Sequence, residues 1–413
     1  MKPRLWVVGG GIESVPAIAH CQSLGFHVTV SDGDAKAPGM RIADDSVWAD
    51  IYDVEKNLTL AVKLHADAPF SGVTTLGADV ALTVATIANY LGLPGIPLAA
   101  AHQCHDKLSQ HEYFSSQGIL SARYWLVNTE EEIAAILSRH PKLILKPRDN
   151  RGARGVLCID SSVDLHWALN YVLSYSRHQK LLLEECLEGP QLSTETIIEK
   201  GRAFTVGISD RNYDKWKTYA PFIVEDGGDL PSVHEPSRLA EINRLMTQIA
   251  QGLGIENGNI KGDLVIHKGQ LKVIEIALRM SGGYFASHEI PATYDIDMVG
   301  MLADMAVGRT VALPQTLSPK HYVCQRYLFL PLGKVDANKL KKIEAEGFSR
   351  NIIFSRLDCP ADELAKAIEN HKSRSGVVIA KGKSRKDAQE KAEMAIKKVL
   401  NRLQTNREAL VCQ

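Results

Sequence analysis

The stretch GDLVIHKGQLKVIEIALRMSGG, residues 262 to 283, restricts the fold of this chain more than any other. Two apolar runs, Asp263 to Ile266 and Leu271 to Leu278, flank His267-Lys268-Gly269-Gln270, whose glycine and polar residues suit a hairpin connection. Side chains alternate faces along a strand, so Glu275, Ala277 and Arg279 point one way while Ile274, Ile276 and Leu278 point the other. A connection with an odd number of residues, such as Lys268-Gly269-Gln270, puts Asp263 across from Glu275. A two-residue turn would pair Asp263 with Ile274 and send the two carboxylates to opposite faces. We expect the odd register. Two carboxylates side by side, with an arginine one step on, suit hard cations on oxygen ligands and an anion on the arginine. A salt-bridge cluster on an exposed sheet face is the plainer alternative.

The rest of the chain supplies layers for such a hairpin to join. RLWVVGGG reads as a strand running into a glycine turn, ESVPAIAHCQSLGF as a helix, and HVTVSD as a second strand ending at Asp32. GVTTLG and DVALTVATIANYLGLPGIP repeat the pattern, the helix closing at Gly92, so the first region is expected to be a βαβ unit with a parallel sheet. LAAAHQCHDKLSQHEYFSSQGI reads as a polar linker, with His102, His105 and His111 on it. Strands and helices alternate again from Tyr124 to about Leu187, and QLSTETIIEKGRAFTVGISD is a β-rich run broken at Lys200-Gly201. The remainder holds the strand HYVCQRYLFLPLG, then a strand, a turn and a long charged helix in SGVVIAKGKSRKDAQEKAEMAIKKVL.

Composition excludes several classes of partner. Across 413 residues the net charge is +0 with no long basic run, so no nucleic acid partner is expected. No apolar run reaches membrane-spanning length, and MKPRLWVVGGG enters a strand without the features of a signal peptide, so no membrane partner and a cytoplasmic location are expected. The 7 cysteines (Cys21, Cys104, Cys158, Cys186, Cys324, Cys359, Cys412) are scattered and never spaced CxxC, indicating neither disulfides nor zinc. The histidines show no HExxH pairing, and neither Ser14 nor Ser281 has a GxSxG setting.

Three glycine-bearing stretches compete for chemistry. Gly9-Gly10-Gly11 follows a strand and opens a helix, with Asp32 where a ribose-binding acid would sit, but the GxGxxG frame breaks at Ser14. Its turn amides suit an anion or small polar ligand. LILKPRDNRGARGV combines Lys146 in an apolar strand with the loop Arg151-Gly152-Ala153-Arg154-Gly155, a flap able to close over phosphates. LLLEECLEGPQLS places Glu184 and Glu185 at the end of an apolar strand, where free backbone groups can read an adenine edge. Arg211, Lys215, Trp216, Lys217 and Tyr219 form a basic-aromatic stretch that is either solvated surface or a substrate-facing loop.

Taken in order, Lys107, Lys146, the RGARG loop, Glu184 to Gly189, Asp263 and Glu275-Ile276-Ala277-Leu278-Arg279 resemble the ATP-grasp superfamily. The resemblance covers nearly the whole chain, and HDKLSQHEYFSSQGI is among its more specific parts. It implies an α/β chain of three parts: a Rossmann-like parallel-sheet domain at 1–100, an ATP-grasp domain of two α+β subdomains at 101–315 with its lid at about 124–187, and a small α+β domain at 316–413. It further implies ATP on Lys107, Lys146, the flap Gly152, Ala153, Arg154 and Gly155, and an adenine pocket at Glu184, Glu185, Cys186 and Leu187. Asp263 and Glu275 would carry magnesium, or manganese in its place. Arg279 and Lys146 would be catalytic. Arg279, Ser281, Gly282, Gly283, Gly10 and Gly11 would face the substrate. The implied reaction activates a small carboxylic acid, an amino acid by preference, as an acyl phosphate and joins it to an amine, with the homodimer as an allowed assembly. The family commonly has Asn where Ala277 stands and Glu where Gln191 stands. Three other readings fit parts of the chain: bicarbonate activation, a dinucleotide-dependent oxidoreductase, and a nucleotide binder without catalysis.

Overall fold

Every residue of the strand Leu5–Val8 is buried, as a strand covered on both faces requires. The computed structural model, which describes residues 2–176, 180–314, 316–360 and 362–404, shows why. β1 (Arg4–Val8), β2 (His27–Asp32), β3 (Asp45–Trp48) and β4 (Gly72–Thr74) form an all-parallel sheet in the order β3-β2-β1-β4. Leu5 and Val7 enter one core with Ala17, Ile18 and Cys21 of the helix Val15–Ser23. Trp6 and Val8 enter another with Ala61, Ile87 and Ala88 from the helices Val54–Asp67 and Ala81–Leu91. The first of these cores continues into Met280, Phe285, Ile290 and Met298, which seats the parallel sheet against the rest of the chain.

The stretch read as a linker is helical. Leu98–His105 and Lys107–Ser116 are helices, the second capped by Asp106, whose carboxylate accepts from the amides of Leu108 and Ser109. His102 and His105 are exposed on the first helix, but His111 is buried, so its placement on a polar linker is corrected. β5 (Tyr124–Val127), β6 (Leu143–Pro147), β7 (Leu157–Ile159) and β8 (Leu181–Glu185) form an antiparallel sheet ordered β5-β8-β6-β7 around a core of Val127, Ile133, Leu143, Leu145 and Ala168.

The large sheet has eight strands. β9 (Gln191–Glu199), β10 (Arg202–Asn212), β11 (Gly227–Leu230), β12 (Asn257–His267), β13 (Gln270–Ala277) and β14 (Tyr322–Tyr327) supply six of them. β15 (Gly333–Lys334) and β17 (Leu364–Ala365) make a separate ribbon, while β16 (Ile352–Leu357) and β18 (Gly376–Gly382) complete the large sheet in the order β13-β12-β9-β10-β11-β14-β18-β16. Strands from either side of residue 315 thus share one continuous sheet. The charged helix Arg385–Gln404 packs Ala388 and Ala392 against Cys324 and Ala380 of that sheet.

The hairpin β12-β13 reaches the expected pairing by another route. Its turn has two residues, Lys268-Gly269, both at positive φ, and His267 pairs with Gln270. That turn type fits the twist of an antiparallel pair. A bulge between Asp263 and Leu264 then restores the offset: Leu264 pairs with Val273 and Asp263 with Glu275. The odd connection is therefore corrected to an even turn plus one extra residue, Ile274. The bulge also turns Ile274 toward the same cavity that Glu275, Ala277 and Arg279 line, against the strict alternation expected.

The six cysteines among the described residues are free thiols; Cys412 lies outside the described residues. No helix among the described residues is long and apolar enough to cross a membrane.

Candidate active site

A cavity of about 1000 Å³ lies where the three sheets meet. One wall is apolar: Ile144 of β6 and Val156 face Ile274 of β13, with Ala122 and Leu187 at the edge. The main-chain groups of Cys186 and Leu187, just past β8, pair with no other backbone among the described residues. A flat heterocycle with a donor and an acceptor on one edge fits between such walls.

Lys146 opens the charged part. Leu143 and Leu145 fix the strand in the core, and the ammonium, though only 5 % exposed, meets Glu184 Oε1 at 2.5 Å. His111 Nε2 reaches the same oxygen at 2.6 Å while its ring stacks on Tyr124. Burial alone would raise the Glu184 carboxyl, but Lys146 and His111 outweigh it and hold it at about 2. Glu184 therefore supports Lys146 as well as lining the cavity. Glu185 lies near Arg123 and Lys272 at 3.4 and 3.9 Å.

The flap, Arg151 to Gly155, turns through Gly152, Ala153 and Gly155 at positive φ. A Cβ on Gly155 would come within 2.8 Å of Tyr175 Cβ, so glycine is required there for both reasons. Lys107 donates to Asn150 O at the base of the flap (2.8 Å) and to Glu275 Oε1 (3.1 Å). The His371 amide donates to Gly152 O (3.2 Å), and the Tyr171 hydroxyl donates to Glu369 Oε2 (3.1 Å). The segment 369–371 thus fastens the antiparallel lid sheet to the large sheet.

Asp263 and Glu275 stand side by side as expected. Asp263 Oδ1 is ion-paired to Arg211 Nη1 at 3.1 Å, and Lys261 donates to its Oδ2. Among the described residues no three of His, Cys, Asp and Glu converge as a ready-made metal cage. Two adjacent carboxylates suit Mg²⁺, which takes one or two protein carboxylates and completes its shell with water and phosphate oxygens. Arg279 Nε meets Asp79 Oδ1 at 2.5 Å, and Arg151 of the flap meets Asp79 Oδ2 at 3.5 Å. Burial would raise the Asp79 carboxyl, but Arg279, Arg151 and Lys107 keep it at about 2.

The turn Ser281-Gly282-Gly283 borders the deeper half of the cavity. Its amides are engaged: Ser281 N donates to Glu195 Oε2 (2.9 Å) and Gly283 N to Glu13 Oε2 (2.7 Å). A carboxylate thus already sits where a substrate carboxylate would contact Gly283. Gly11 lines the cavity; Gly10 is set behind it, its amide donating to Asp32 Oδ2 at 2.8 Å and its Cα side closed by Val30 and Met40. Asp32 also accepts from Asp34 N, so it caps its own loop.

The basic-aromatic stretch is divided: Arg211, Tyr213 and Trp216 line the cavity. Arg211 bridges Asp263 and Glu225; Arg374, stacked on Tyr327 at 3.6 Å, meets the same Glu225 Oε2 at 3.4 Å. Asp79, Glu225, Arg374, Arg356 and Glu289 also line the cavity and were not singled out from sequence. No local pattern marks them; only Asp79, in the turn after an apolar strand, stands where a switch-point residue is expected.

Comparison with known proteins agrees with this geometry. Residues 104–283 match the model of an ATP-grasp domain and residues 19–95 that of an ATP-grasp N-terminal domain. The L-arginine-specific L-amino acid ligase of Bacillus subtilis is 28% identical over 253 residues, 58% of this chain and 60% of that protein. The carbamoyl phosphate synthase large chain of Bifidobacterium animalis subsp. lactis is 26% identical over 51% of this chain and 19% of its own length. The chain thus spans less than two thirds of either relative. The crystal structure of L-amino acid ligase from Bacillus licheniformis superposes with a TM-score of 0.77 at 19% identity, covering 95% of this chain and 97% of that one. The ATP complex of carboxyaminoimidazole ribonucleotide synthase from Aspergillus clavatus gives 0.74 at 16% identity, covering 98% and 99%. With both family models matched in order and the fold shared end to end, the chain belongs to the ATP-grasp superfamily.

Proposed function

We propose that this protein is a cytoplasmic ATP-dependent carboxylate-amine ligase that activates a small carboxylic acid, an amino acid by preference, and joins it to an amine. The observation that carries this reading is one cavity lined by Lys107, Lys146, the flap, the Asp263–Glu275 pair, Arg279 and the Ser281-Gly282-Gly283 turn.

A carboxylate does not react with an amine because oxide is too poor a leaving group. Attack of the substrate carboxylate on the γ-phosphorus of ATP breaks the bond to the β-phosphate and releases ADP. The amine then attacks the carbonyl carbon of the acyl phosphate, phosphate leaves, and the amine loses a proton. The first step asks the protein mainly for placement and for compensation of crowded negative charge. In this reading Lys146 and Lys107 would meet the phosphates, the apolar wall the base, and Arg279 the transferring group. Magnesium, or manganese in its place, held by Asp263 and Glu275 with the phosphate oxygens, would supply Lewis-acid compensation of that charge. The flap keeps water from the acyl phosphate.

ADP release by the purified protein with Mg-ATP, screened across amino acids, dipeptides and small acids, tests this. Release should require a particular acid, and Glu275→Gln should cut it at least 100-fold while ATP-free thermal stability stays close to the parent. If no acid provokes turnover and the variant behaves as the parent does, the ligase reading fails and nucleotide binding alone remains.

A further inference from the structure

The cavity wall holds a buried carboxyl, Glu289, that no cation among the described residues pairs with. Glu289 ends a single π turn, Phe285–Glu289, and lines the cavity although the residue is only 2 % exposed. Such turns inside helices recur at functional sites. Glu225 is held by Arg211 and Arg374, Asp229 by Arg326 and Arg385, and Glu13 by the Gly283 amide. Arg326, the cation that acts on Glu289, gives its Nη1 to Asp229 Oδ1, Gly228 O and Gln325 O and turns Nη2 toward Glu393. Among the described residues the Glu289 carboxyl has no ion pair and no hydrogen bond.

Burial pushes this carboxyl well above its ordinary range, and Glu225 and Asp229 push it further. Both effects favour its protonated form. Tyr284 and Tyr327 line the same cavity, but Arg356 lies over the first ring and Arg374 over the second, so neither face is open to a ligand. A buried carboxyl that lines the cavity without a partner attracts a compact organic cation through an ion pair.

We propose that Glu289 is the recognition group for a cationic centre, ammonium or guanidinium, on one of the two small-molecule substrates. The word substrate rests on the ligase reading above; the cation site itself does not. On binding, Glu289 gives its proton to solvent and pairs, ionised, with the ligand cation. Glu289→Gln keeps the shape of the neutral acid and cannot ionise, so it should fold as the parent does.

The test is calorimetric binding of L-arginine, L-lysine, L-citrulline and L-norleucine to the full chain with Mg-ADP present, in two buffers of different ionisation enthalpy. The parent should bind with proton release, and Glu289→Gln should weaken binding at least 10-fold and abolish that release, with Mg-ADP affinity within twofold of the parent. Loss for all four probes assigns the α-ammonium; loss confined to L-arginine and L-lysine assigns the side-chain cation. Glu289→Asp, which keeps the charge, should retain the proton release and serves if the Gln variant does not fold. The proposal is overturned if no probe binds the parent, or if parent and Glu289→Gln bind alike. Binding without acid-dependent ADP release would overturn the ligase reading and leave the cation site standing. Turnover unaffected by Glu289→Gln would do the reverse.

Discussion

Single residues decide the chemistry of this cavity. Ala277 lines it between Glu275 and Arg279, where an amide oxygen would add a hard ligand beside the carboxylate pair. Ala277→Asn should lower the magnesium concentration giving half-maximal ADP release severalfold; an unchanged or higher requirement would show that position 277 faces no ion. Residue identity was most legible where a costly group lay in an apolar run: Lys146 between Leu145 and Pro147 had to find a partner, and it did. His111 gave no such warning. Its immediate neighbours, Gln110 and Glu112, are polar, and only the arrival of Glu184 and Tyr124 from the lid sheet makes a buried imidazole affordable there. Arg211 was visible as a charge but not as the bridge between Asp263 and Glu225, because Asp263 comes from a distant strand and Glu225 from the loop before β11.

At the scale of elements, the flap and the hairpin carry the site. Gly155 combines a φ of +72° with a close approach to Tyr175. Gly155→Ala should cost roughly 1–3 kcal/mol of local order and raise the KM for ATP about tenfold with little change in kcat, measured by steady-state kinetics. A parent-like KM would mean that the flap tolerates a different path. The hairpin shows where reading by alternation stops. The pairing of Asp263 with Glu275 was expected from the need to partner two acids, whereas periodicity alone could not distinguish a three-residue connection from a two-residue turn followed by a bulge. The bulge matters because it adds Ile274 to the apolar wall while leaving both acids facing the cavity.

For the whole molecule, buried charge links stability to pH. Glu184 and Asp79 are each held at about 2, below the roughly 4.3 and 3.9 of the unfolded chain. The unfolded state then binds more protons at acid pH, so their contribution is fully present above those unfolded values and is lost as pH falls toward about 2. The stability gap between parent and Glu184→Gln, read from urea midpoints, should be widest above pH 5 and narrow toward pH 2; a gap independent of pH would mean that shape, not charge, explains the loss. Mg-ATP should raise the thermal midpoint and NADH should not, since only a ligand of the native state stabilises it; equal shifts would favour the dinucleotide reading.

The large sheet sets a limit on how this chain could be recombined. β14, β18 and β16 continue the sheet beyond β11, and the segments between them bring Gln325, Tyr327, Arg356, His371 and Arg374 to the cavity wall. A chain cut after residue 314 would leave β11 as a bare edge, open to pairing with other molecules. A graft of the last hundred residues from a relative would have to match strand twist and register as well as ligand shape. New specificities on this scaffold should therefore arise by exchanging side chains in place more readily than by shuffling segments.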